Sequence, residues 1–153
     1  MSKLVAMVAQ PDYEPAALDR SIRRTIDLIE FDLASVREKR VLLKPNMLAS
    51  CPPEMAVTTH PEFVAATGRI FREAGATVWV GDSPNGVQSI DDVWKATGIR
   101  GVCRREGLTE MPFEAGGSAK RNGFLISRIA LDADIIVNLP KLKTHSLTVM
   151  TLA

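Results

Sequence analysis

The sequence predicts an α/β fold: a three-layer sandwich on a mostly parallel sheet, one domain over residues 1–153 that is incomplete at its C-terminus. Three observations predict it. Short apolar runs, Val41-Leu42-Leu43, Val78-Trp79-Val80 and Ile135-Ile136-Val137, have the pattern of strands buried on both faces. Segments with helical spacing of apolar residues separate the early runs. Each run also ends abruptly in polar residues: Lys44-Pro45-Asn46, Gly81-Asp82-Ser83-Pro84-Asn85, and Asn138-Leu139-Pro140-Lys141-Leu142-Lys143-Thr144-His145. In a parallel sheet these tails meet at one edge, where open α/β sheets bind ligands.

The elements follow in order. Residues 3–9 read as a first strand, apolar on both faces, broken by Pro11 to Pro15. Leu18, Ile22, Ile26, Ile29 and Leu33 recur at helical spacing, with charged residues between them. A charged turn at Glu38-Lys39-Arg40 leads into strand 41–44, and residues 45–58 form a long loop rich in Pro and small residues. Thr59-His60-Pro61-Glu62 matches a capping box with Thr59 as N-cap, for a helix ending at Gly75. Strand 77–80 completes a right-handed βαβ unit. Ser89-Ile90-Asp91-Asp92 opens another helix, which ends at Gly98, and residues 99–107 can add a helical turn. Between 108 and 123, Pro, Gly and Asn122-Gly123 predict a loop or hairpin, followed by a short strand at 124–127, a helical turn at 129–132 and strand 134–139. The last residues, His145 to Ala153, carry no cap and no polar tail, so the sequence reads as the front part of a longer fold.

Composition narrows the function. A net charge of +1 gives no general nucleic-acid or membrane-surface binder, and no segment is long enough to span a membrane. Cys51 and Cys103 are far apart and form no C-x-x-C, so no iron–sulfur or zinc ligand motif is present and two free thiols in a reducing cytosol are expected.

The polar tails suggest the chemistry. Lys44, Lys141 and Lys143 at the ends of buried strands must snorkel, pair with a carboxylate or lose their protons. Three such cations exceed what Asp82 alone neutralises, which points to an anionic ligand carrying phosphate or carboxylate. The opposing reading pairs these lysines with Asp82 and its neighbours. Asn46 and Asn138 can orient the lysines or donate to a ligand, and Thr59 and His60 lie at a helix start that would present N–H donors to the same edge. Asp82 and Ser83 are ligand-binding candidates too, with Asp82 suited to a metal or a sugar hydroxyl, while the opposing reading takes Gly81-Asp82-Ser83-Pro84-Asn85-Gly86 as a plain turn. Ser83 is in no G-x-S-x-G elbow, and no P-loop or G-x-G-x-x-G occurs. Two preceding lysines favour a neutral imidazole at His145, which suits a general base, so Lys141, Lys143 and His145 are the catalytic candidates if the site is an enzyme's; the opposing reading of His145 is a loop histidine hydrogen-bonded to backbone. Two histidines and one Asp make a thin metal site, and none is assigned. Trp79 and Trp94 are expected in the core; Arg100, Arg104 and Arg105 are expected on a solvated face.

Three stretches together resemble the family DUF362, a domain of unknown function sometimes joined to ferredoxin-type iron–sulfur modules. They are Val41-Leu42-Leu43-Lys44-Pro45-Asn46; Thr58-Thr59-His60-Pro61-Glu62 with Glu73-Ala74-Gly75-Ala76 and Val80-Gly81-Asp82-Ser83-Pro84; and Ala133 through His145. The resemblance covers nearly all of this chain but only the front part of the family's domain, which continues through a further Lys-Asn segment. It implies a ferredoxin-type domain or protein as a partner, although the Cys-rich run of such modules is absent from this sequence. Two functions stay open: an anionic small-molecule site, binding or enzymatic, or a non-catalytic module beside an iron–sulfur partner. A cytoplasmic location is expected for either.

Overall fold

The computed structural model describes residues 4–84, 88–145 and 149–151. Its centre is a parallel four-stranded sheet. β1 (Arg40–Pro45) pairs with β2 (Thr77–Val80) on one side and with a strand at Ile135–Leu139 on the other. A two-residue strand, Thr109–Glu110, extends the β2 edge. Helices flank the sheet, as the sequence predicts for an α/β sandwich.

The local reasons are visible in the sequence. In α1 (Pro15–Leu28), Pro15 occupies the first turn and the Glu14 carboxylate accepts the Ala16 and Ala17 N–H groups. The helix stops earlier than its apolar spacing predicts. Glu30 takes a left-handed φ of 57°, and Leu33 instead opens a 3₁₀ turn, Leu33–Val36, capped by Asp32. α2 (Pro61–Glu73) has Ala74 as C-cap and is followed by Gly75, whose φ of 92° suits glycine, and the chain turns directly into β2. α3 (Ile90–Ala96) is capped by Ser89, which accepts the Asp92 N–H, and α4 (Ile99–Glu106) follows. After β3 (Thr109–Glu110), β4 (Ser118–Arg121) and β5 (Phe124–Ser127) form a hairpin. Its turn is Asn122-Gly123, both at positive φ, as a two-residue turn matching the strand twist requires. α5 (Arg128–Asp132) leads into β6 (Ile135–Leu139), and β7 (Lys143–His145) pairs with β8 (Val149–Thr151) in a small antiparallel ribbon.

The main core lies between β1, β2 and helices α2 to α4, where Leu43, Val64, Val80, Trp94 and Ile99 are fully buried. At about 2 kcal/mol for each large side chain removed from water, this cluster is the main stabiliser. A second cluster joins Leu18, Ile22 and Ile26 of α1 to Ala66 and Ile70 of α2. The start of β6 is fixed by Asp134, which accepts the Arg40 N–H at 2.8 Å and its guanidinium at 3.1 Å. These hydrogen bonds from Arg40 hold the carboxyl down at about 2.

Several expectations are corrected. Residues 4–9 form no strand and, among the described residues, pair with nothing in the sheet; residues 6–9 line a groove with α1. The N-cap of α2 is His60, not Thr59, because the Thr59 hydroxyl is engaged elsewhere. Arg100 and Arg105 are not simply solvated: Arg100 pairs with Asp91 and Glu110, and Arg105 with Glu62 and the buried Glu106. Trp94 is fully buried, while Trp79 is partly exposed beneath the Arg40 guanidinium, 5.7 Å from the ring centroid.

Candidate functional site

Parallel pairing puts the C-terminal ends of β1, β2 and β6 on one edge. Lys44 lies in register with Asn138, and Leu43 lies between Val80 and Val137. Thr59 ties this edge together. Its hydroxyl accepts the Asn46 N–H at 2.9 Å and donates to the Leu139 carbonyl at 2.6 Å, while its own N–H donates to the Asn46 carbonyl. This buried side chain therefore joins the ends of β1 and β6 to the start of α2.

Asp82 is the anionic centre. It is buried, accepts the Met47 N–H at 2.8 Å, and pairs with the Lys44 ammonium at 2.7 Å. Gly81 keeps the backbone close here: a Cβ on it would lie 2.4 Å from the Met111 carbonyl oxygen. Lys44 also lines a cavity of about 550 Å³ with Ser83, whose hydroxyl donates to Glu114 at 2.9 Å. Asn85, expected beside them, lies outside the described residues.

Lys143 reaches the same region from β7. Its ammonium donates to Asn46 Oδ1 at 3.1 Å and to the Val57 carbonyl at 2.7 Å, both neutral oxygens. Burial lowers its pKa, with the nearby Lys141 charge opposing protonation while Cys51 and Asp82 favour it. Lys141 faces a neighbouring cleft of about 310 Å³ shared with Tyr13, His60 and Asp12. Its ammonium is 3.5 Å from the Tyr13 hydroxyl, and the Tyr13 ring stacks on His60 at 3.6 Å. His60 Nδ1 accepts the Glu62 N–H, which leaves the proton of the neutral ring on Nε2. Burial is the largest cause lowering the His60 pKa; Glu62 opposes it, Lys141 adds to it, and Glu54 opposes it more weakly.

The structure thus brings Lys44, Asn46, Asp82 and Lys143 into one neighbourhood, with Lys141 and His60 in the adjoining cleft. Thr59 is spent on backbone, Asn138 is exposed on β6, and His145 is exposed beside Lys143 in a third cavity of about 370 Å³. Among the described residues no cluster of three or more His, Cys, Asp or Glu could hold a metal ion. Cys51 and Cys103 are free; burial pushes the Cys103 thiol up to about 12. Sequence reasoning missed Tyr13. The only signal for it was an aromatic placed just after the N-terminal apolar run, in a turn.

Comparison with known proteins gives the family. A model described as "Domain of unknown function (DUF362)" matches residues 41–153. The chain belongs to the DUF362 family. A thylakoid-associated protein of Synechocystis sp. is 33% identical over 157 residues, covering 99% of this chain and 49% of that protein. The chain therefore spans about half the length of this DUF362 relative. No solved structure matches. Among the described residues, no helix is long and apolar enough to cross a membrane.

Two outcomes follow from this geometry. Asp82→Ala leaves the Met47 N–H without its acceptor and Lys44 without its partner, and is expected to lower unfolding free energy by about 2 kcal/mol in urea titration. Asp82→Asn, which retains an acceptor, is expected to cost less. The second outcome concerns His60, whose folded-state pKa lies below its unfolded value. The unfolded chain then binds more protons, so this residue's contribution to stability is lost as pH falls below about 6.5 toward the folded pKa. His60→Asn caps without titrating and should flatten the dependence of Tm on pH across that window.

Proposed function

We propose that this chain binds a small anionic molecule, bearing phosphate or carboxylate, at the C-terminal edge of the parallel sheet. The observation that carries this reading is geometric: the Lys141 ammonium lines a cleft with Tyr13 and His60, and the Tyr13 hydroxyl, 3.5 Å away, is its one hydrogen-bond partner among the described residues. An anion bound beside it would favour the protonated form of His60. Lys143 strengthens the reading because, among the described residues, its hydrogen bonds go to neutral oxygens only. In the loop that wraps it, the Ser50 and Thr58 hydroxyls are buried and have no hydrogen-bond partner among the described residues. Such groups call for a partner.

Lys141 and Lys143 then hold the anion, and Asp82 keeps Lys44 in place beside them. Were the site to catalyse a reaction, Lys143, with its lowered pKa, or His145 would move the proton. Titration calorimetry with inorganic phosphate and small carboxylates tests the proposal. Lys141→Ala is expected to weaken binding about tenfold or more, a loss of roughly 1.4 kcal/mol. Binding to the unaltered chain should raise the His60 pKa seen by NMR. Absence of binding at millimolar anion, or equal affinity in Lys141→Ala, overturns it.

A second reading, a non-catalytic module beside an iron–sulfur partner, draws on the exposed Leu142 and Val149 near these lysines. A ferredoxin-type protein that binds the chain with no small anion competing favours it. The free thiols also support a cytoplasmic location. The Synechocystis relative is named thylakoid-associated, and recovery of this chain in the membrane pellet on cell fractionation would overturn the cytoplasmic reading.

A further inference from the structure

The β6 edge of the sheet is unlike an edge built to face water. Its sequence, Ile135-Ile136-Val137-Asn138-Leu139, carries one polar residue, Asn138, and contains no Pro, Lys or Glu. Exposed edges normally carry such residues to block pairing with another strand. Among the described residues β6 pairs only with β1, and Ile136 remains 49% exposed. Residues 4–9, Leu-Val-Ala-Met-Val-Ala, show the same mismatch. They have a buried strand's composition, yet Val5 is 88% and Met7 93% exposed.

These two unsatisfied stretches end together. Gln10 and Pro11 line the same cleft as Pro140 and Lys141, so residues 4–9 run out to the sheet edge where β6 also ends. Between residues 6–10 and α1 lies a groove of about 660 Å³, floored by Leu18, Ile22, Ile26 and Phe63; among the described residues no charged side chain lines it. α1 packs beside α2, where a right-handed crossover from a strand beyond β6 back to β1 would place it. The backbone direction, the helix placement and the apolar floor of a longer sheet are therefore present, but among the described residues the hydrogen bonds are not.

We infer that β6, the groove under α1 and residues 4–9 form a slot for one further β-strand, which pairs with β6 on one side and with residues 4–9 on the other. The occupant is an uncharged strand rich in Val, Ile and Leu, from polypeptide corresponding to the half of the Synechocystis relative outside the matched region. An occupant of that kind satisfies the polar backbone on both flanks and covers Ile136, Val5 and Met7. This inference does not depend on the anion reading, because it uses neither the lysines nor His60.

Amide hydrogen exchange tests it. In this chain alone, residues 4–9 and the outward amides of β6 should exchange rapidly, while the β6 amides facing β1 stay protected. In a chimera that adds the unmatched half of the Synechocystis protein, both fast sets should slow by about 100-fold or more. The same comparison within the Synechocystis protein, whole against cut to the matched region, needs no chimera and should show the same loss of protection on cutting. Protection of residues 4–9 and β6 in the chain alone would mean that the segment closes directly on β6, and overturns the inference. Protection that appears only as concentration rises would assign the slot to a second copy, and also overturns it. Unchanged exchange in a cooperatively folded chimera or in the whole relative does so as well.

Discussion

The candidate site depends on one hydroxyl. Thr59 Oγ1 accepts from Asn46 and donates to Leu139, so a single buried atom sets the spacing of two strand ends and the entry point of α2. Everything polar at this edge is placed relative to it. Asn46 is thereby positioned to accept from Lys143, and His60, the next residue, becomes the helix cap. With Nδ1 committed to the Glu62 N–H and its ring stacked on Tyr13, His60 forms one wall of the Lys141 cleft. A buried polar group with both neighbours satisfied stabilises only modestly, but it admits a single arrangement of the elements it joins.

Charge is distributed around this knot in three different ways. Lys44 has a buried carboxylate, Lys143 has two neutral oxygens, and Lys141 has a phenol. The three lysines are chemically identical in the sequence and acquire different environments only from the elements that carry them. Away from the edge the cations are balanced by acids. Arg69 and Arg105 share Glu106, and Arg105 also reaches Glu62, so α2 and α4 are fixed to each other by ion pairs as well as by apolar packing. Partly buried pairs of this kind fix geometry more than they add stability.

The sheet was legible because an apolar run that ends sharply in polar residues has few explanations. Val41–Leu43, Val78–Val80 and Ile135–Val137 all became parallel strands with adjacent C-terminal ends. What the sequence hid was partnership at a distance. Thr59 has the better capping chemistry, but its hydroxyl is drawn to Leu139, eighty positions away, and the cap falls to His60. Residues 4–9 have a strand's composition, yet a strand also needs a neighbour, which composition does not supply. The β7–β8 ribbon is similarly a matter of pairing between two short segments, neither of which carries a strong strand signal. Arg100 and Arg105 looked solvated because Asp91, Glu110 and Glu62, which pair with them, lie on other elements.

The two cysteines share a formula and differ in accessibility. Cys103 is packed into the main core, where its thiol is held in the unreactive protonated form. Cys51 is only partly buried, in the loop next to Lys143. A maleimide or iodoacetamide reporter applied to the native molecule would therefore attach at one address. That address is close enough to the lysine cluster for a dye's emission to register what enters there, without altering a single codon.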